Sequence, residues 1–480
     1  MNKRGVFHAV GAITIFVGAA MVLPLGAALF FGDGGAPGFG ISMGVTLLTG
    51  CALFLLTRGE TDLGVRDGFG VVTFGWLAMA LFGSLPFLIS GSIPNPVDAL
   101  FETMSGFTTT GASILSDPEV LPRSALLWRS LIQWLGGMGI IVLSLAILPM
   151  LGVGGMQLYR AEAPGPSPDK LRPRIRQTAA TLWGVYVVLS IAEALLLRLA
   201  GMGTFDAVCH TFTTMATGGF STRTASLAAF PSPTVQWIVT LFMFLAGANF
   251  ALHYRALRGN VLAYVRDPEW RLYLWIVVLA VLGASFGLWV GGEHDPAGAI
   301  RAGSFQVVSI LTTTGFVTED YGVWHPGLQW GLLVLMFVGG CAGSTAGSLK
   351  VVRVFVLAKA ALRELAVVGN PRVVRSLRIG RRKMERGVAR NVLGFFLLFA
   401  ALCVAGTAAL SILGLDLETA LSASTTCLAN VGPGLGQVGP TDHFAWIPTP
   451  GKWVLMALML LGRLELYTVL VLFLPAAWRK

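Results

Sequence analysis

Four short stretches of this 480-residue sequence carry the residue types that ligate a hard cation. They read TTTGAS from Thr108, ATGGFST from Ala216, TTTGFVT from Thr312 and ANVGPGL from Ala429, and each lies between long apolar segments. Backbone carbonyls and hydroxyls are oxygen donors, and rings of them can replace the hydration shell of an ion. Glycine permits positive φ, so consecutive carbonyls can turn the same way. Irregular backbone at membrane depth survives only where it is buried in protein or lines water. A single glycine of this kind more often serves helix packing. Four in register, with hydroxyl neighbours, point to a pore. The candidate ligands are Thr109, Thr110 and Gly111; Thr217, Gly218 and Gly219; Thr313, Thr314 and Gly315; and Asn430, Val431 and Gly432.

Other chemistries find little support. The six histidines are scattered without an HExxH pattern, and the five cysteines form no CxxC pair, so no zinc site is indicated. The glycine-rich run Gly339 to Ser348 has neither a preceding strand nor a following GK[ST] of the phosphate-binding kind. A polytopic membrane enzyme would need clustered acids or histidines near one face, and these are absent from the pattern. No cofactor is expected.

The elements that position the four stretches follow from composition. With 55% hydrophobic and 12% charged residues, and apolar windows recurring along the whole chain, the solvent is lipid. The apolar run at the N-terminus lacks a small-residue cleavage site and reads as a retained helix. Setting Gly111, Gly219, Gly315 and Gly432 in register gives spacings of 108, 96 and 117 residues. Six positions earlier stand Ser105, Thr213, Ser309 and Thr426. Segments of 10–12 residues before each glycine, such as VDALFETMSGF and RAGSFQVVSIL, are too short to cross a bilayer and suit half-helices. Acidic residues near their starts (Asp98, Asp206, Glu418) suit helix N-termini, leaving the negative helix ends facing the membrane centre. The second spans are expected to open with Gln133-Trp134, Gln236-Trp237, Gln329-Trp330 and Lys452-Trp453, the Trp at the membrane boundary. The resulting expectation is an all-α polytopic membrane protein. A helix pair occupies 1–66, and four helix, re-entrant loop, helix repeats occupy 67–176, 177–266, 267–386 and 387–480.

Net charge is +10, and the basic residues gather in alternate connections, including 160–176 and Lys350 to Arg390. By the positive-inside rule these connections and both termini are cytoplasmic. Contact with anionic lipid follows, whereas no aromatic interleaving supports nucleic-acid binding. Within the membrane, the second span of the third repeat is interrupted at Gly339, Gly340, Gly343, Ser344, Thr345, Gly347 and Ser348. The readings are an intramembrane loop or a tightly packed kink. Arg463 sits in the last span, where charge must face the bundle interior or water. It is read as a positive charge beside the pore, against the alternative of an ion pair with Glu465. Glu193 and Asn249 are read as interhelical polar contacts, and His210 as a packed residue.

These residues together resemble the Trk/Ktr/HKT superfamily of potassium transporters, within it the TrkH-like membrane subunits. The likeness covers nearly the whole chain. It is carried by QWLGGMGIIVLSLAILPMLGVGGMQLYRAE from Gln133, FDAVCHTFTTMATGGFST, FLAGANFALHY, GGCAGSTAGSLK and NVGPGLG. The resemblance implies four M1–P–M2 repeats in pseudo-fourfold symmetry and passage of K+ down its electrochemical gradient through a filter with one glycine per repeat. It also implies that the Gly339–Ser348 interruption is a gate below the filter, and it supports Arg463 beside it. In the plant relatives a serine at the first filter glycine goes with sodium preference. Gly111 therefore favours potassium here. The fourth stretch departs from the T-x-G pattern, so fourfold symmetry is approximate. The resemblance further implies a homodimer in a bacterial inner membrane over a cytosolic TrkA-like ring that binds nucleotide or NAD, with loops 160–176 and 359–390 as its contacts. A Na+- or H+-coupled symporter is the alternative; equally oriented repeats weigh against it.

Overall fold

The computed structural model describes residues 1–59, 63–147, 171–292, 294–369, 378–379, 382–383 and 386–478. Among these residues the chain is helical apart from loops and one two-residue hairpin that pairs Arg378 with Lys383. Most of the two basic loops expected to meet a cytosolic partner (160–170, and 370–385 apart from the hairpin) lies outside the described residues, as does the second half of the QWLGG motif.

Among the described residues, six helices are long and apolar enough to span a membrane: Lys3–Phe31, Ala36–Leu56, Arg66–Ile89, Gln177–Leu199, Pro268–Val290 and Gly387–Ile412. Such runs form helices in lipid because the helix satisfies every backbone group within the segment. Their outward faces are apolar; Leu279, Leu282 and Phe286 are each more than half exposed. Between the long helices stand four half-helices: Pro96–Phe107, Thr204–Met215, Pro296–Leu311 and Leu417–Ala429. Each packs between a preceding outer helix (Val65–Ile89, Leu171–Leu199, Pro268–Val290, Arg386–Ile412) and a following inner helix (Arg123–Ile147, Pro233–Ala246, Pro326–Met336, Thr449–Arg463). Each inner helix also packs on the next half-helix, and Thr449–Arg463 packs on Pro96–Phe107. The four blocks therefore close into a ring.

The half-helices start where the sequence supplies caps. Asn95 accepts from the Val97 and Asp98 amides, Asp295 from Gly298 and Asp416 from Thr419. Asp98, Asp206 and Glu418 stand in first turns as expected. The third half-helix is 16 residues long and begins five residues before the expected Arg301, because Asp295-Pro296 forms a cap followed by a proline in the first turn.

Two expectations about the inner helices need correction. Gln133-Trp134 lies well inside Arg123–Ile147, and Trp134 packs on Trp183, Tyr186 and Phe212 while donating to Ser190 at 3.1 Å. Trp237, Trp330 and Trp453 do stand near helix starts and are largely exposed. The inner helices of the second and fourth blocks are also broken. Pro233–Ala246 meets Phe250–Leu257 at 104°, and Thr449–Arg463 meets Tyr467–Phe473 at 108°. Asn249 starts the second segment of the former by accepting from the Ala251 amide at 2.8 Å, so it is a helix cap rather than an interhelical contact.

Candidate functional site

All four half-helices end alike. The amides of Thr110, Gly218, Thr314 and Val431 donate back to the carbonyls of Ser105, Thr213, Ser309 and Thr426 at 2.8–2.9 Å. The residue before each donor is left-handed: Thr109 (φ 50°), Thr217 (53°), Thr313 (58°) and Asn430 (56°). This is a Schellman-type closure, usually supplied by glycine. Holding threonine there costs about 1–3 kcal/mol of strain each, a cost met by complete burial. Positive φ returns two residues later at Gly111 (84°), Gly219 (74°), Gly315 (79°) and Gly432 (100°). The closure ties the intervening amide to the half-helix and leaves its carbonyl for the neighbouring segment.

The segments meet in a closed cycle. A Cβ placed on Gly111 would lie 2.3 Å from the Gly218 carbonyl oxygen, one on Gly219 2.0 Å from that of Thr314, one on Gly315 2.0 Å from that of Val431, and one on Gly432 2.6 Å from that of Thr110. The carbonyl just before each glycine thus sits against the glycine of the preceding segment. Only glycine fits, for space as well as for φ. Two of the four hydroxyls in register brace this ring from behind: Ser309 donates to the Phe316 carbonyl at 2.7 Å and Thr426 to that of Pro433 at 3.0 Å. Thr213 instead donates within its own half-helix, and the Ser105 hydroxyl is buried without a partner. Thr108 pairs with Thr110 and Thr312 with Thr314, both at 2.8 Å. Asn430 keeps the shared backbone form and donates to the Thr110 hydroxyl at 2.9 Å. One face of the ring opens into a cavity lined by all four glycines, with Arg223 and Asp442 on its wall. Arg223 is held there by Asp206 (3.0 Å) and Glu119 (3.3 Å).

The opposite side is covered by residues 337–350, a non-helical break between Pro326–Met336 and Val351–Gly369 that contains every residue of the expected interruption. Its backbone runs against three half-helix ends. The Gly347 amide donates to the Thr313 hydroxyl at 2.7 Å, a Cβ on Gly347 would lie 2.5 Å from the Ala429 carbonyl oxygen, and the Thr345 hydroxyl donates to the Met215 carbonyl at 3.1 Å. Gly340 packs as tightly on Gly247, within the break of the second inner helix. Gly339 meets the loop's own Gly347. The glycines therefore allow close approach, and the segment is a loop rather than a kinked helix.

Charged groups fasten this assembly. Arg463, 2% exposed, ends its helix and donates to the Thr345 carbonyl at 2.8 Å. Glu465 pairs with Arg353 instead, so the expected alternative of an Arg463–Glu465 pair does not form. Glu269 accepts from Ala342 (2.7 Å) and Val352 (3.3 Å), joining the middle of the loop to the helix that follows it. Lys452 pairs with Asp98 at 2.6 Å, joining the fourth block to the first. Glu102 and Arg129 form a buried pair at 2.7 Å behind the ring. His210 is packed as expected, between the Asp206 carbonyl and the Ser221 hydroxyl, and Glu193 is fully buried beside Thr214. Sequence reasoning passed over Glu269, Arg353, Glu102 and Arg129; an ionisable residue in an apolar span was the available signal.

The TrkH profile, described as cation transport protein, matches residues 40–480. The Trk system potassium uptake protein TrkH of Salmonella typhimurium is 44% identical, and that of Escherichia coli K12 is 43% identical, each over 100% of both chains. The crystal structure of the potassium transporter TrkH from Vibrio parahaemolyticus superposes with a TM-score of 0.93 at 38% identity, covering 100% of both chains.

Proposed function

The chain belongs to the TrkH family of cation transport proteins, transporters rather than enzymes, and from that premise we propose that it takes up potassium across the cell membrane. Ions pass down their electrochemical gradient through the ring built by Thr109–Gly111, Thr217–Gly219, Thr313–Gly315 and Asn430–Gly432. The observation that carries this reading is the closed cycle in which each segment's carbonyl meets the preceding segment's glycine. Such a ring offers oxygen ligands without side-chain charge, and the four half-helix ends add negative potential.

The loop 337–350 with Arg463 is the gate: it blocks the path on one side of the ring and is fastened to the broken inner helices of the second and fourth blocks. The division into an N-terminal pair and four repeats, the cytoplasmic termini in a bacterial inner membrane, a homodimer and a cytosolic nucleotide-binding ring of the TrkA kind belong to the same proposal. Basic connections supply the charge such a partner, or anionic lipid, would meet.

The test is rubidium uptake into potassium-loaded proteoliposomes of the purified chain. Uptake that external K+ suppresses far better than Na+, and that Gly111→Asp abolishes, supports the reading. Silence that a cytosolic ring relieves identifies a closed gate, and silence that persists with the ring present contradicts the passive pore.

A further inference from the structure

The four segments are not braced alike at the position before the ring glycine. In the first and third, Thr110 and Thr314 carry hydroxyls that pair with Thr108 and Thr312. In the fourth, Val431 fills the position and is fully buried. In the second the residue is Gly218, whose φ is not positive, so conformational freedom does not explain it. Space does: a Cβ on Gly218 would lie 2.5 Å from the Gln133 side chain.

Gln133 comes from the inner helix of the first block and is completely buried. Its Nε2 donates to the Gly218 carbonyl at 2.6 Å, and its Oε1 accepts from the Phe220 amide at 3.1 Å. One helical turn earlier, Arg129 donates to the Ser221 carbonyl at 2.9 Å and lies over the Phe220 ring at 4.0 Å. Glu102 holds that guanidinium in place. The two side chains share a helix face by their i, i+4 spacing. Together they bracket Gly218–Ser221 at three backbone groups. The bracketed carbonyl of Gly218 is the one that meets Gly111 in the ring.

We propose that Gln133 is a specificity-determining positioning residue: its amide stands in for the side chain the second segment lacks and fixes where the Gly218 carbonyl sits. The inference rests on reading the ring as the ion filter. Without the bracket, the Gly218 carbonyl can move to suit a smaller ion, and discrimination falls while conduction continues.

The experiment measures K+ and Na+ competition against rubidium uptake in proteoliposomes of the full chain. Gln133→Met, close in size but without either hydrogen bond, is expected to keep uptake while its K+-over-Na+ preference falls about tenfold, the scale of one lost hydrogen bond. Gly218→Ser alone, which drives a Cβ into Gln133, is expected to lose preference too. The pair Gln133→Ala with Gly218→Ser relieves that clash but restores neither hydrogen bond, and is expected to conduct with the preference still reduced. Unchanged preference in Gln133→Met overturns the inference and leaves the filter reading standing. A wild-type protein that prefers neither ion sinks the filter reading, and this inference with it. If Gln133→Met does not fold, the double variant decides: protein that conducts with reduced preference supports the proposal, and wild-type preference overturns it.

Discussion

Arg463 reaches the Thr345 carbonyl at 2.8 Å, tying the end of the last inner helix to the loop beneath the glycine ring. A charge-assisted hydrogen bond of this kind contributes about 1.5–3 kcal/mol. If the loop closes the path, Arg463→Ala shifts it toward open, and initial rubidium uptake rises by roughly tenfold, since about 1.4 kcal/mol corresponds to one decade. An unchanged rate with a lowered melting temperature would assign Arg463 a purely structural role.

The ring glycines make a steric prediction. At Gly219 and Gly315 an added methyl would sit 2.0 Å from a neighbouring backbone oxygen. Gly219→Ala and Gly315→Ala should therefore lose K+-selective uptake altogether. Gly26→Ala, in Val22–Phe31 with nothing within 4 Å of the new methyl, should leave uptake intact and stabilise the helix by up to about 1 kcal/mol. Uptake assays on detergent-purified, monodisperse protein check both.

The Glu102–Arg129 pair is buried at both ends, with side-chain exposures of 0% and 4%. Glu102→Gln leaves an uncompensated guanidinium and is expected to cost about 3–5 kcal/mol, read as a large drop in thermal unfolding temperature. Asp98→Asn at the more accessible Lys452 pair should cost clearly less. Equal losses at the two sites would contradict the burial argument.

Asp416 caps the fourth half-helix at its exposed end, and the Thr419 amide holds its carboxyl below the usual aspartate range. A lowered folded pKa stabilises the fold above the unfolded value of about 3.9, and that contribution is lost as pH falls through the folded value. Asp416→Ala should therefore cost about 1 kcal/mol at pH 7, the scale of a lost cap, and progressively less below pH 4. A cost independent of pH would mean that the carboxylate is not the capping group.

Much of this arrangement was legible in the sequence because it interrupts hydropathy. Polar glycine segments and the Gly339–Ser348 break stand out against apolar runs, and the register of Ser105, Thr213, Ser309 and Thr426 foreshadowed the helix closures they accept. The left-handed threonines at 109, 217 and 313 were not legible, since a residue that disfavours the conformation is held there by burial. The break at 464–466 passes through Leu464 and Leu466, whose composition matches a continuous span. Gln133 was visible as a polar residue in a helix, but its partners lie 85 and 87 residues away, a distance that no local pattern encodes.

The central claim is that the glycine ring holds the transported ion. Anomalous diffraction from crystals grown in rubidium, collected at the rubidium edge, tests it most directly. A peak is expected inside the ring, enclosed by the carbonyls of Thr110, Gly218, Thr314 and Val431. Rubidium ordered elsewhere in the membrane region, beside Glu193 for example, with none within the ring, would contradict it.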